Sequence, residues 1–274
     1  MRRLDAGACH RRVTLTGGSQ PPPYPAAMRR FAQAIADPAS LPVGLPASLA
    51  DALATAPDRY NIGKNGSATV LARDGDGSLV AADMRWGLIP RWSKQPSTPY
   101  TTVTARLERA AKSRIFAQAW QQRPCVVALT GYYKWDRQRR PPWPLFVQRT
   151  DGLALLAAGL WEHWAGEDGE EIDSFTVLTA PNPGIPAPLT PDGPVFIDAP
   201  VAMAWLSGAL LTPAALQAQA STPALEAYPV SRAFRDPARD DYTLLEPVDP
   251  AAEGPDSGPA AWDGDGLDDE DGAD

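Results

Sequence analysis

Three stretches of the chain set cations among aromatic rings: MRWGLIPRWSK at 84–94, TARLERAAKSRIF at 104–116 and YYKWDRQRR at 132–140. Interleaved Trp and Arg suit a single-stranded polynucleotide, because rings stack on bases while guanidinium groups neutralise phosphates; a stacked base is worth about 1 to 3 kcal/mol. The competing reading puts the tryptophans in a packed core and the arginines in solvent, since Trp is highly buried on average. Lys134 poses a sharper question. It lies in LTGYYKW (129–135), after a turn-prone Thr130-Gly131 pair and the hydrophobic run CVVAL (125–129). Period-two geometry sends Lys134 outward and turns Tyr133 and Trp135 inward. If it points into a pocket instead, burial and nearby arginines lower its pKa, and its neutral amine can form an imine with an aldehyde.

Other reactive groups are scarce. The chain has two cysteines, Cys9 and Cys125, and two histidines, His10 and His163. That is too few for a disulfide framework, and no paired spacing fits zinc, so no metal centre is expected. GxGxxG and Walker sequences are absent, so no cofactor is expected either. No run of eighteen apolar residues is present to span a bilayer, and MRRLDAGACHRR lacks the hydrophobic stretch of a signal peptide. The expectation is a cytoplasmic monomer with no membrane contact.

The elements that must position these residues read as a mixed sheet with peripheral helices, an α+β chain without strand-helix alternation. CHRRVTL (9–15) suggests a first strand, and Met28, Phe31 and Ile35 recur at helical spacing over 26–36. A Pro- and Ala-rich loop runs to about 58. YNIG, SATVLAR and SLVAADMRWGLIP read as strands, the last two joined by an Asp74-Gly75-Asp76-Gly77 hairpin turn. Residues 105–122 have the helical pattern, CVVAL, PLFVQR, ALLAAGLW and SFTVLTA read as strands, and 202–206 and 213–219 as short helices. Of the formal charge of −8, residues 249–274 carry −10 with no Lys or Arg, which leaves +2 for 1–248. The expected division is a folded domain over 1–248 and an acidic disordered tail over 249–274, with a polyanion as a candidate partner of the mildly basic fold.

Taken in order, YNIG (60–63), RWGLIPRW (85–92), TARLE (104–108), CVVALTGYYKW (125–135), AGLWEHW (158–164), FTVLTAPN (175–182), APLTPDGPVFI (187–197) and YPVSRAFRDPARDD (228–241) resemble the SRAP family, the SOS response-associated peptidases or abasic-site processing proteins. The resemblance implies a mixed fold around a barrel-like sheet, a hydrolase family acting in the DNA damage (SOS) response. It further implies single-stranded DNA binding and a DNA-protein crosslink to abasic sites. The crosslink is a thiazolidine, closed by the amine and thiol of an N-terminal cysteine. A Glu in the Gly-aromatic-Tyr-Glu-Trp box, an Asn in the Asn-Ala-Arg box and a His assist, as bases and proton shuttles should.

Each of those places is altered here. The nearest match to the terminal cysteine is Cys9, eight residues inside the chain, where its nitrogen is an amide that cannot close the ring. By the same alignment the Asn place is Thr104, the Glu place Lys134 and the His place Thr190; the arginine two beyond it is Asp192, and Lys64 replaces a usual neighbour of the YNI box. Effects within a catalytic unit are non-additive, but four changes in one site imply crosslinking and autopeptidase chemistry lost or impaired. Residues matching the family's DNA cradle are better kept: Asn61, Arg85, Trp86, Gly87, Pro90, Arg106 and Arg114. Against this, Trp86 and Pro90 could simply pack the barrel mouth, and Arg106 could pair with Glu108 or another acid. Two routes would restore chemistry: cleavage between Ala8 and Cys9, exposing an amine beside the thiol, or imine formation by Lys134.

Overall fold

A computed structural model describes residues 28–254; Cys9, His10, the CHRRVTL segment and most of the acidic tail lie outside the described residues. Twelve strands form two sheets. One has the order β12 (Leu225–Pro229), β8 (Trp143–Arg149), β7 (Gly131–Asp136), β1 (Arg30–Gln33), β2 (Arg59–Ile62). The other runs β11 (Asp192–Pro194), β10 (Glu171–Pro181), β4 (Leu79–Trp86), β3 (Ser67–Arg73), β6 (Pro124–Leu129), β9 (Leu155–Ala165). Pairing of β9 with β10 closes it into a five-stranded barrel, and β5 (Thr104–Arg106) is added to β10 in parallel. This is the α+β, barrel-centred class expected from the sequence.

Alternation divides the barrel strands between two cores. Val70, Cys125, Val127, Leu155, Ala157, Phe175 and Val177 pack with Phe31, Tyr132 and Val147 of the first sheet. Their neighbours of opposite parity, Leu71, Val126, Ala128, Leu156, Ala158 and Leu178, pack under the helices with Leu49, Leu53, Trp120 and Trp205. Successive side chains of a strand face opposite ways, so a strand buried on both faces reads as a continuous hydrophobic run, as CVVAL and ALLAAGL do. The helices α1 (Ala47–Ala54), α2 (Leu107–Ala110), α3 (Ala117–Gln122), α4 (Ala199–Leu206) and α5 (Pro213–Ala218) are short. Asp198 caps α4 by accepting from the Val201 N–H at 3.0 Å, and the Trp205 indole pins that helix to the Cys125 and Gly159 carbonyls at 3.0 and 3.2 Å. The Asp74–Gly77 turn forms as expected: the Gly77 N–H donates to the Asp74 carbonyl at 3.1 Å, with Gly77 at φ +81.

Three expectations are corrected. Within the expected helix over 26–36, Arg30–Gln33 is a strand instead, because it is inserted between β7 and β2. The Gln33 amide is buried there, donating to the Thr69 and Ala128 carbonyls at 2.8 and 2.9 Å and accepting from the Thr69 N–H at 2.7 Å. Short apolar runs fit either period, and tertiary pairing decides. The single helix over 105–122 is broken into β5, α2 and α3, since the backbone of Thr104, Ala105 and Arg106 pairs with β10. The loop reaching to 58 contains α1. Among the described residues no helix is long and apolar enough to cross a membrane, and no group of three His, Cys, Asp or Glu side chains is placed to hold a metal.

Candidate functional site

Strand β7 enters the first sheet through Gly131, where a Cβ would lie 2.5 Å from ring carbons of Phe146, so the close approach requires glycine. Tyr132 is buried against Phe196, and its hydroxyl has no hydrogen-bond partner among the described residues. Burial pushes its pKa up, so it stays a phenol. Tyr133 stacks on Phe234 at 4.7 Å and donates to the Tyr60 carbonyl at 2.8 Å. Lys134 is 5% exposed rather than outward-facing: β7 is an inner strand between β1 and β8, and both of its faces are covered. Its Nζ donates to the Thr190 hydroxyl at 3.1 Å and to the Asp192 carbonyl. Desolvation pulls its pKa from 10.5 down to about 8, partly opposed by the Asp192 carboxylate; the cause is burial rather than neighbouring arginines.

The register of β10 links the other positions expected to be altered to this pair. Asp192 stands opposite Pro181 and Pro194 opposite Thr179 on one side of β10, while Thr104 and Arg106 stand beside Val177 and Thr179 on the other. Lys134 and Thr190 are thus in direct contact, and half-buried Thr104 and exposed Arg106 join the same end of the barrel through β10. Cys125 is no substitute nucleophile, since full burial raises its thiol pKa well above the ordinary value.

The aromatic and cationic residues sort unexpectedly. Trp86 has no exposed surface: its indole N–H donates to the Val103 carbonyl at 2.7 Å, its ring meets Phe31 edge-on at 4.9 Å, and no ligand reaches it. Pro90 is also buried. Asn61 ties β2 to the 234–239 segment, its Nδ2 facing the carbonyls of Phe234, Asp236 and Arg239 at 2.9, 3.0 and 2.8 Å, while its oxygen accepts from Arg30 at 3.0 Å. These three residues build the scaffold. Arg85 lies at the surface of a cleft of about 100 Å³ with Lys64, Asn65, Gly87, Thr98 and Thr102. Its Nε and Nη2 donate to Asn65 Oδ1 at 3.1 and 2.6 Å, which fixes the guanidinium at the cleft. Gly87, at φ +118, makes the turn that ends β4 there.

Sequence reasoning named Arg114 but missed its partner. Trp92 is 46% exposed, and the Arg114 guanidinium lies 5.1 Å from the centre of its ring. The signal was available as the second tryptophan of RWGLIPRW. Asn65 was also missed, and its neighbour Lys64 was noted only as a departure. Glu108 pairs with its neighbour Arg109 at 3.7 Å. A cleft with two cations, and an exposed ring backed by a third in the segment that follows β4, can hold phosphates and stack a base.

A family model described as SOS response associated peptidase (SRAP) matches residues 29–237. Abasic site processing protein YMR114C of Saccharomyces cerevisiae is 31% identical over 126 residues, 45% of this chain and only 33% of the yeast protein. Over longer spans, abasic site processing protein YedK of Escherichia coli is 27% identical over 194 residues, 69% of this chain and 85% of YedK. YoaM of Bacillus subtilis, also titled an abasic site processing protein, is 24% identical over 191 residues, 68% of this chain and 84% of YoaM. A crystal structure of a protein from Bacteroides thetaiotaomicron superposes with a TM-score of 0.64 at 18% identity, covering 80% of this chain and 99% of the other, which speaks for the fold alone.

Proposed function

The chain belongs to the SOS response-associated peptidase family, and from that premise we propose that it binds single-stranded or abasic-site DNA reversibly, with the thiazolidine and autopeptidase chemistry lost or impaired. The observation that carries the binding half is the exposed Trp92 ring backed by Arg114, in the segment that leads on from the cleft-lining residues Arg85, Gly87 and Ile89. Such a ring offers its open face to a base, and the cations offer charge to the flanking phosphates. Arg106 extends this charge from β5. The relatives titled abasic site processing proteins supply the substrate class.

The loss of ring closure is supported by what fills the site. Where the resemblance implies a glutamate and a histidine, a buried ammonium and a hydroxyl are bonded to each other. Neither a Lys134 cation nor a Thr190 hydroxyl accepts a proton from a thiol at neutral pH as a carboxylate or imidazole would. Thr104 in the asparagine place removes an amide donor.

A gel assay tests both halves, using abasic, intact single-stranded and duplex oligonucleotides with and without denaturant. The expected result is a shift with single strands that disappears in denaturant. No shift with any DNA overturns the binding reading; a denaturant-resistant adduct abolished by Cys9→Ser overturns the loss of chemistry. A second reading is favoured by the lowered pKa of Lys134, which leaves a fraction of its amine neutral near pH 7. Attack by that amine on the ring-opened sugar aldehyde would form a carbinolamine and then, with loss of water, an imine. Borohydride trapping on abasic single strands would give a stable adduct absent from Lys134→Met; no adduct dismisses this route.

A further inference from the structure

The turn between β7 and β8 is a strongly charged exposed feature outside the cleft. Arg137, Arg139 and Arg140 fall within four consecutive exposed residues. Arg139 reaches back to Asp136 at 3.3 Å and Arg140 curls onto the carbonyls of Arg137 and Arg139, while Arg137 has no ion pair among the described residues. One carboxylate therefore faces three guanidinium groups, which leaves the tip strongly positive.

The C-terminal end of the described chain is tied down at the base of this same turn. Glu253 accepts from the Ser231 hydroxyl and from the Arg232 N–H at 3.1 Å, and the Arg232 guanidinium donates to the Gly254 carbonyl at 3.3 Å. That guanidinium lies over the Trp143 ring at 3.8 Å, and Trp143 stands opposite Asp136 in the register of β7 and β8. The indole N–H of Trp143 donates to the Val230 carbonyl at 3.1 Å, completing the connection. The chain thus leaves Gly254 beside the base of the arginine tip. Beyond this point, 255–274 carries eight acidic side chains and no basic one. At roughly 3.3 Å per extended residue, even half of that segment spans more than 30 Å.

We infer that the arginine tip at 137–140 is a docking surface whose occupant is the chain's own acidic segment, residues 255–274. Three observations carry this: opposite charge, departure of the segment from the base of the tip, and an anchor at Glu253 that fixes the departure point. Tethering places the acidic groups at a local concentration on the order of millimolar, so weak individual pairs suffice for occupancy. The contact is electrostatic, exposed and suppressed by salt.

The test uses the full chain and no DNA, so its outcome is separate from the binding reading above. A fluorescein-labelled synthetic peptide of 255–274 is titrated, by anisotropy at low salt, against a full-length variant whose eight acidic residues beyond Gly254 are Asn or Gln. Binding is expected. It should be about tenfold weaker to the wild-type chain, whose own tail competes in cis, and comparably weakened by R137A/R139A/R140A in the neutral-tail background. R137K/R139K/R140K should restore most of it, and near-UV circular dichroism should show all variants folded. Undetectable binding, or binding indifferent to the arginines or to the cis tail, overturns the inference.

Discussion

Replacing Lys134 by Met should stabilise the protein at neutral pH, and the size of the gain should depend on pH in a defined window. The lysine titrates at 10.5 in an unfolded chain and at about 8 when folded, because burial disfavours its charge. At about 1.4 kcal/mol per pH unit this gap is a penalty of about 3 kcal/mol when the amine must be charged in both states. Since the folded pKa lies below the unfolded one, the unfolded chain holds more protons between pH 8 and 10.5. Stability therefore rises with pH across that window, and the full penalty applies below it. Methionine fills similar volume without charge but forfeits the bonds to Thr190 and the Asp192 carbonyl, worth about 1 to 2 kcal/mol together. The net gain at pH 7 is then about 1 to 2 kcal/mol. Denaturant unfolding of both proteins from pH 7 to 10 checks this, because the difference between them cancels every other titrating group. The wild type should recover about 2 to 3 kcal/mol relative to Lys134→Met over that range. Parallel stability profiles would show that the amine is not desolvated as described and would refute the reasoning.

Other consequences can be measured independently. Trp92→Ala should weaken single-stranded DNA binding by about five- to hundredfold, the worth of one stacked base, with no loss of thermal stability because the ring is exposed. Asn61→Ala strips three backbone carbonyls of their donor and should cost about 2 to 3 kcal/mol, read as a fall in melting temperature of roughly 5 to 10 °C. Intact-mass spectrometry of the purified protein should find no chain beginning at Cys9; one beginning there would restore the amine and thiol pair and reverse the expectation of impaired chemistry.

Strands were legible where one chemical signal dominated. SATVLAR became β3 from its first residue to its last, and the Asp74-Gly75-Asp76-Gly77 turn formed because carboxylate and glycine chemistry suffice locally. The strand at Arg30–Gln33 was not legible, since its hydrophobic spacing also fits a helix, and only insertion between β7 and β2 decides for extended chain. The site behaved alike. Residue types raised the expectation that Lys134 and Thr190 depart from the family, but their contact depends on a loop after β10 folding back over β7, a long-range event. Trp86 and Trp92 lie six residues apart in one motif and meet opposite fates, because the chain stays buried through Pro90 and reaches the surface at Arg91. No local propensity distinguishes the two rings.

The Gln33 side chain has a mechanical consequence. It belongs to a strand of one sheet, yet its amide is spliced into the peptide fabric of β3 and β6 in the other, occupying Thr69 and Ala128 as a third strand would. The layers cannot shear or hinge apart without rupturing three buried bonds together, a cost no loosely held ligand repays. The exposed connecting segment 91–101 carries no such tie between the layers and is where the site end opens at least cost.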